Sequence, residues 1–160
     1  MQETFDVVDY TPTYGHDLVR MWRESFERPV GIVDWHSLED QRRYLEESVV
    51  PNNRVLVVVS EATADVIGFM ATTPEVISQL YVHVGHQHEG IGSMLVNMAK
   101  QQSKGRLRLF TFKVNKLAQR FYERHGFRVI GEGFEKDWQL EDLEYEWSAG
   151  TATQARTAAM

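Results

Sequence analysis

Val76-Ile77-Ser78-Gln79-Leu80-Tyr81-Val82-His83-Val84, followed closely by Gln87-His88-Glu89-Gly90-Ile91-Gly92, is the stretch that decides the fold. The first segment predicts a strand. The second predicts a glycine-bearing turn into an amphipathic helix, because Ile91, Met94, Leu95, Met98 and Ala99 recur on one helical face before Gly105 ends it. A helix starts with backbone N–H groups that lack intrahelical acceptors, at the positive end of its dipole. Glycines let a ligand come close to them. The turn is therefore either a seat for a phosphate or diphosphate, or a tight strand-to-helix connection and nothing more. No Lys-Ser/Thr pair follows Gly92, so it is not an ATP-type P-loop, and its glycine spacing is not G-x-G-x-x-G. Gln87 adds an amide donor and Ser93 a hydroxyl.

Working outward, Thr4 to Tyr10 predicts a strand, and Leu18, Met21, Trp22, Ser25 and Phe26 predict a helix broken at Pro29-Val30-Gly31. Ser37 is a candidate N-cap for a second helix that runs to about Val50 and stops before Pro51. Val55 to Val59 predicts a strand buried on both faces, Val66 to Met70 a second, and Val76 to Val84 the third of this meander. After the helix from Gly90 to Lys104 come a strand at Leu107–Phe112, a helix at Asn115–His125 and a strand from Gly126 to Ile130. Leu143, Tyr145 and Trp147 alternate with Glu144 and Glu146, a half-buried strand. The acidic run Glu132, Glu135, Asp137, Glu141, Asp142 before it reads as a solvated loop, or as an attractor for a polyamine, an aminoglycoside or a basic peptide end. The order β-α-α-β-β-β-α-β-α-β-β predicts one mixed α/β domain over residues 1–147 and a loose Ala/Thr-rich tail over 148–160.

The 160 residues carry 42% hydrophobic side chains, enough for one sizeable core. A formal net charge of -6 speaks against a general nucleic-acid binder and suits attraction of a cationic small molecule. With no Cys there is no disulfide, thiolate metal site or Cys nucleophile. The N-terminus lacks the pattern of a secretory signal, and no run reaches the ~20 apolar residues of a membrane span, so a soluble cytoplasmic protein is expected. His83, His86 and His88 cluster without carboxylate or thiolate partners at ligand spacing, so no metal site is expected.

A second constellation runs from Asn115 to Phe127. Asn115 follows a strand and is placed either to cap a helix or to bond a ligand as well. Tyr122 lies at the edge of the stripe formed by Ala118, Phe121 and His125, as a core aromatic or with its hydroxyl toward a cleft.

Taken together, Gln87, Gly90 and Gly92 after Leu80-Tyr81-Val82, then Asn115, Ala118, Phe121-Tyr122 and Gly126-Phe127, resemble the GNAT superfamily of acetyl-CoA-dependent N-acetyltransferases over residues 4–147. The resemblance implies a central mixed, mostly antiparallel sheet whose fourth and fifth strands splay apart, with flanking helices. It implies that the backbone of Leu80, Tyr81 and Val82 pairs with the pantetheine arm, and that Gln87, His88, Glu89, Gly90, Ile91, Gly92 and Ser93 hold the diphosphate of acetyl-CoA. Asn115 would bond the pantetheine or its surroundings, and Tyr122 would act as the general acid for the departing thiolate. An amine must lose a proton to attack a thioester, so a base is needed. The position where some members carry a Glu is Val76 here, which leaves Glu75 through a water, His83, or bulk water. Trp35, His36 and Gln79 are the expected acceptor-side residues, and Lys116, Arg120 and Arg124 are either a solvated face or partners of the 3′-phosphate. The implied reaction is direct attack of a primary amine on the thioester. A small cationic amine is expected ahead of a protein amine, because a short chain offers no evident peptide platform. The alternative is an inactive CoA-binding regulatory or interaction module of the same fold. Homodimers are common in the family, and a homodimer is one expectation.

Overall fold

Val55-Leu56-Val57-Val58-Val59 has no polar residue to turn to water, and it forms the centre of a sheet in a computed structural model that describes residues 4–150. Around β2 (Arg54–Ser60), β1 (Phe5–Asp9), β3 (Val66–Thr72) and β4 (Ile77–Val82) make a sheet of order β1-β2-β3-β4, every neighbour antiparallel. A second antiparallel sheet of order β5-β7-β6 comprises β5 (Arg106–Phe112), β6 (Arg128–Glu135) and β7 (Leu140–Ser148). The two meet through a parallel bridge between Val76 and Arg108, where the Arg108 amide donates to the Glu75 carbonyl at 3.0 Å. Past that bridge β4 and β5 share no ladder.

The splay has a local cause. Ala71 pairs with Gln79 and Thr72 with Ile77, so Ser78 is an extra residue in β4. Such a bulge bends and twists its strand, here just where β4 leaves β5. Periodicity does not reveal a bulge, so the sequence predicts a plain strand there.

Helices cover both faces. α1 (Gly15–Val30), with Leu45 and Val49 just after α2 (Leu38–Tyr44), packs one core with Phe69, Val57 and Tyr81, while α4 (Ile91–Gln102) and α5 (Lys116–Arg124) pack the other with Met70, Leu109 and Tyr145. α2 does not stop before Pro51. It passes through a π-helical turn (Leu45–Val49) into α3 (Val50–Asn52). The π turn restarts the ladder just ahead of the proline, and a proline is tolerated in a first turn because its missing N–H is not needed. Pro29 likewise lies inside α1, whose end is set by Gly31 at φ 80° with its amide on the Glu27 carbonyl at 2.8 Å.

The acidic run is not a loop. Glu132 and Glu135 lie in β6 and Glu141 and Asp142 in β7, with Asp137 in the connecting turn. β6 is an edge strand exposed on both faces, so it carries no period-two stripe to read. Ser148 is the last residue of β7 rather than the start of a tail, and the Ala149 amide bonds the Gly105 carbonyl at 2.9 Å. The remainder of the expected tail, 151–160, lies outside the described residues. Among the described residues no helix is long and apolar enough to cross a membrane.

Ser37 caps α2 as expected, its hydroxyl accepting from the Asp40 amide at 3.0 Å. Ser37→Ala should cost about 1 kcal/mol. Urea unfolding would read this as a lower midpoint with unchanged slope.

Candidate active site

β4 ends at Val82, a 3-10 turn (Val84–His86) follows, and the Gln87 side chain folds back, its Nε2 donating to the Val82 carbonyl at 3.3 Å. His88 (φ 68°) and Gly90 (φ 84°) are both left-handed, and this reverses the chain into α4. The two glycines serve different ends. A Cβ on Gly90 would meet nothing, so that glycine is needed for its φ. A Cβ on Gly92 would lie 3.1 Å from the Phe121 ring, so that glycine lets α4 approach α5. No side chain caps α4, and its first intrahelical bond is Met94 N–H to Gly90 C=O, which leaves the amides of Ile91, Gly92 and Ser93 without helical partners.

These amides face a cavity of ≈ 430 Å³. Leu80, Tyr81 and Val82 form its strand wall, Gln87, His88 and Gly90–Ser93 its turn, and Asn115, Ala118, Phe121 and Tyr122 its α5 wall. Arg120 and Arg124 also line it; Lys116 does not. Ser25 and Pro29 complete the wall from α1. Pro29 has no N–H for the Ser25 carbonyl four residues earlier, a consequence of proline chemistry that periodicity does not display. Ser93 Oγ lies 3.0 Å from His125 Nε2, and Lys100 Nζ donates to the His125 carbonyl. Burial, then the charges of Lys100 and Arg124, lower the His125 pKa, which favours the neutral ring beside Ser93. Asn115 does cap α5, its Oδ1 accepting from the Ala118 amide at 3.1 Å, and it also lines the cavity.

A second cavity of ≈ 360 Å³ passes through the splay. It shares Leu80, Tyr81, Asn115, Ala118 and Tyr122 with the first. Gln79 lines it, and so do Glu135 and Asp142 of the acidic run and Thr111, which alone of these the sequence does not single out. Thr111, Glu135 and Asp142 come together through the pairing of β5, β6 and β7, beyond the reach of any local motif.

Tyr122 is 8% exposed and stands between the cavities. Burial, followed by the nearby Tyr81 phenol, raises its pKa, so it is held protonated. Tyr81 is itself raised to about 12 by burial, against a hydrogen bond from Trp22 that lowers it. The sequence points only to the backbone of Tyr81; its phenol is a second hydroxyl in the cleft.

Several expected residues lie elsewhere. Glu75 lines neither cavity: it sits before the bridge at the closed end of the splay, with its carboxylate 3.2 Å from Lys104 Nζ. That position sets it apart from Tyr122, which stands between the two cavities. His83 lines neither cavity, and both ring nitrogens are engaged, Nε2 with Glu24 at 2.9 Å and Nδ1 with the Gly85 amide at 3.1 Å. Glu89 turns away from the turn's concave side, toward His86 Nδ1 at 3.3 Å, and does not line the cavity. Trp35 and His36 line neither cavity. Trp35 is 69% exposed and stacked on His36, whose Nδ1 is 2.8 Å from Asp34. His36 packs on Trp138, which packs on Phe26 of the second cavity, so the pair braces that wall from outside. Among the described residues no group of three or more His, Asp or Glu is arranged to hold a metal.

A family model described as an acetyltransferase (GNAT) domain matches residues 51–129. YjaB of Salmonella typhimurium, a peptidyl-lysine N-acetyltransferase, is 30% identical over 132 residues, 81% of this chain and 83% of that protein. The solution structure of apo YjaB from Escherichia coli superposes with a TM-score of 0.71 at 21% identity, covering 90% of this chain and 97% of that one. PaiA N-acetyltransferase from Thermoplasma acidophilum, solved with coenzyme A, superposes at 0.66 with 19% identity, covering 91% and 99%. With a free helix N-terminus beside a splayed pair of strands, and a relative this similar over most of both chains, the protein is an acetyltransferase and belongs to the GNAT family.

Proposed function

We propose that the protein moves an acetyl group from acetyl-CoA to a primary amine by direct attack within a ternary complex. The observation that carries this reading is the pair of cavities that meet at Tyr122. The first has the chemistry of a CoA site: unpaired amides at a helix N-terminus for the diphosphate, Arg120 and Arg124 for a further phosphate, and the outer edge of β4 for the amides of pantetheine. The second gives an amine a separate approach to the same point.

In this reading the amine nitrogen bonds the thioester carbon, the C–S bond breaks and the amine gives up a proton to solvent or a carboxylate. The Tyr122 phenol donates its hydrogen to the sulfur as negative charge builds there. Its raised pKa keeps that proton in place until it is needed. The backbone N–H groups of the Tyr81–Val82 region are suited to the developing oxyanion. No covalent enzyme intermediate is required, in keeping with the absence of Cys.

The test is thermal shift with acetyl-CoA, followed by CoA release with a panel of amines that includes lysine peptides, since the Salmonella relative is named for peptidyl-lysine. The expected result is stabilisation by acetyl-CoA and amine-dependent release. Binding with no turnover on any amine would instead support the inactive CoA-binding module, and no binding would overturn both.

A further inference from the structure

We infer that the acceptor enters from the α1 side of the sheet and carries a second positive charge, held by Asp142 and Glu135, several bonds from its reacting nitrogen. The inference rests on the acetyl-transfer reading above and adds which amines are taken.

Strand pairing fixes which side each wall residue faces, because directly opposed residues share a face. Thr111 opposes Leu143, which belongs to the core under α4 and α5. Asp142 opposes Phe112 and Glu135 opposes Leu140, both part of the core under α1. The second cavity therefore runs through the splay, from carboxylates on the α1 side to Thr111 and Tyr122 on the other.

Three observations point to a cationic occupant. The Asp142 carboxylate has no hydrogen-bond or ion-pair partner among the described residues, and it lies over Gly133, where a Cβ would come within 2.8 Å of Oδ1. Phe26, Phe110 and Phe112 line the same cavity, and aromatic faces favour an alkylammonium as well as its apolar stem. Thr111 is 7% exposed, and its Oγ1 is buried without a partner among the described residues. A buried hydroxyl left unpaired is costly, and the N–H of an incoming amine would satisfy it.

Position makes the second charge useful. Tyr122 belongs to the core under α4 and α5, whereas Asp142 shares the face of Phe112 under α1, so the two stand on opposite sides of the sheet. An amine reacting beside Tyr122 thus leaves Asp142 to a different part of the molecule. An ω-ammonium on a straight alkyl chain and a basic residue beside a target lysine supply the same chemistry.

The experiment compares kcat/KM for two matched pairs: hexylamine against 1,6-diaminohexane, and a single-lysine peptide against the same peptide with an adjacent arginine. The doubly charged member of one pair should be preferred about tenfold or more, the scale of a hydrogen bond to a charged group, and that pair identifies the source. Asp142→Asn should bring the preference to near one with KM for acetyl-CoA unchanged. Gly133→Ala should weaken it by displacing the carboxylate without removing it. Thr111→Val should instead slow both members of the pair alike. Equal rates for both pairs in the wild type, or a preference untouched by Asp142→Asn, would overturn the inference while leaving acetyl transfer standing. No CoA release with any amine overturns the transfer reading, and the inference with it.

Discussion

Tyr122→Phe is expected to lower kcat by about 10²–10⁴-fold, the usual contribution of a positioned proton donor, with KM for acetyl-CoA changed little. The substitution removes one oxygen from a ring that packs on Phe121, Phe127 and Tyr145, so the core should survive it. Tyr81→Phe is the control. Tyr81 also lines both cavities, but its phenol already accepts from Trp22 and the residue packs on the α1 side of the sheet, so the loss should be under about tenfold, short of what a positioned donor contributes. Steady-state kinetics of both variants, with melting temperatures to confirm folding, checks the pair. Equal kcat in Tyr122→Phe and wild type would remove Tyr122 from the chemistry.

The second large effect concerns the turn. Gly92→Asp should raise KM for acetyl-CoA by at least about a hundredfold. A carboxylate about 4 Å from a phosphate charge costs about 4 kcal/mol at an effective dielectric of 20. The same carboxylate lies in the first turn of α4, where the helix dipole favours it, so the helix itself should not suffer. The new Cβ does meet Phe121 at 3.1 Å, a contact that ring can relieve by a small shift. Gly92→Ala makes the same steric demand without the charge and should have a far smaller effect. Calorimetric titration with CoA separates the two contributions. If aspartate and alanine weaken binding equally, the diphosphate does not sit at these amides.

The residues of the candidate site were legible in proportion to how locally they are arranged. The turn from Gln87 to Ser93 and the α5 start at Asn115 are continuous segments whose geometry follows from glycine φ, capping and helix polarity, and both are found where they were expected. That Glu75 lies outside both cavities is not legible in the sequence, because adjacency along the chain says nothing about which end of a strand opens and which is bridged. The placing of Trp35 and His36 outside both cavities is equally hidden, because His36 packs against Trp138, a contact between segments a hundred residues apart.

By itself the sequence determined the order of elements, the faces they bury and the family, because these depend on periodicity, turn chemistry and short motifs. Tertiary structure alone decided the splay, through a one-residue bulge at Ser78, and the meeting of Thr111, Glu135 and Asp142 around a tunnel. Strand register and bulges are set by packing between distant segments, and a one-residue shift turns every side chain to the opposite face. No reading of neighbours along the chain contains that information.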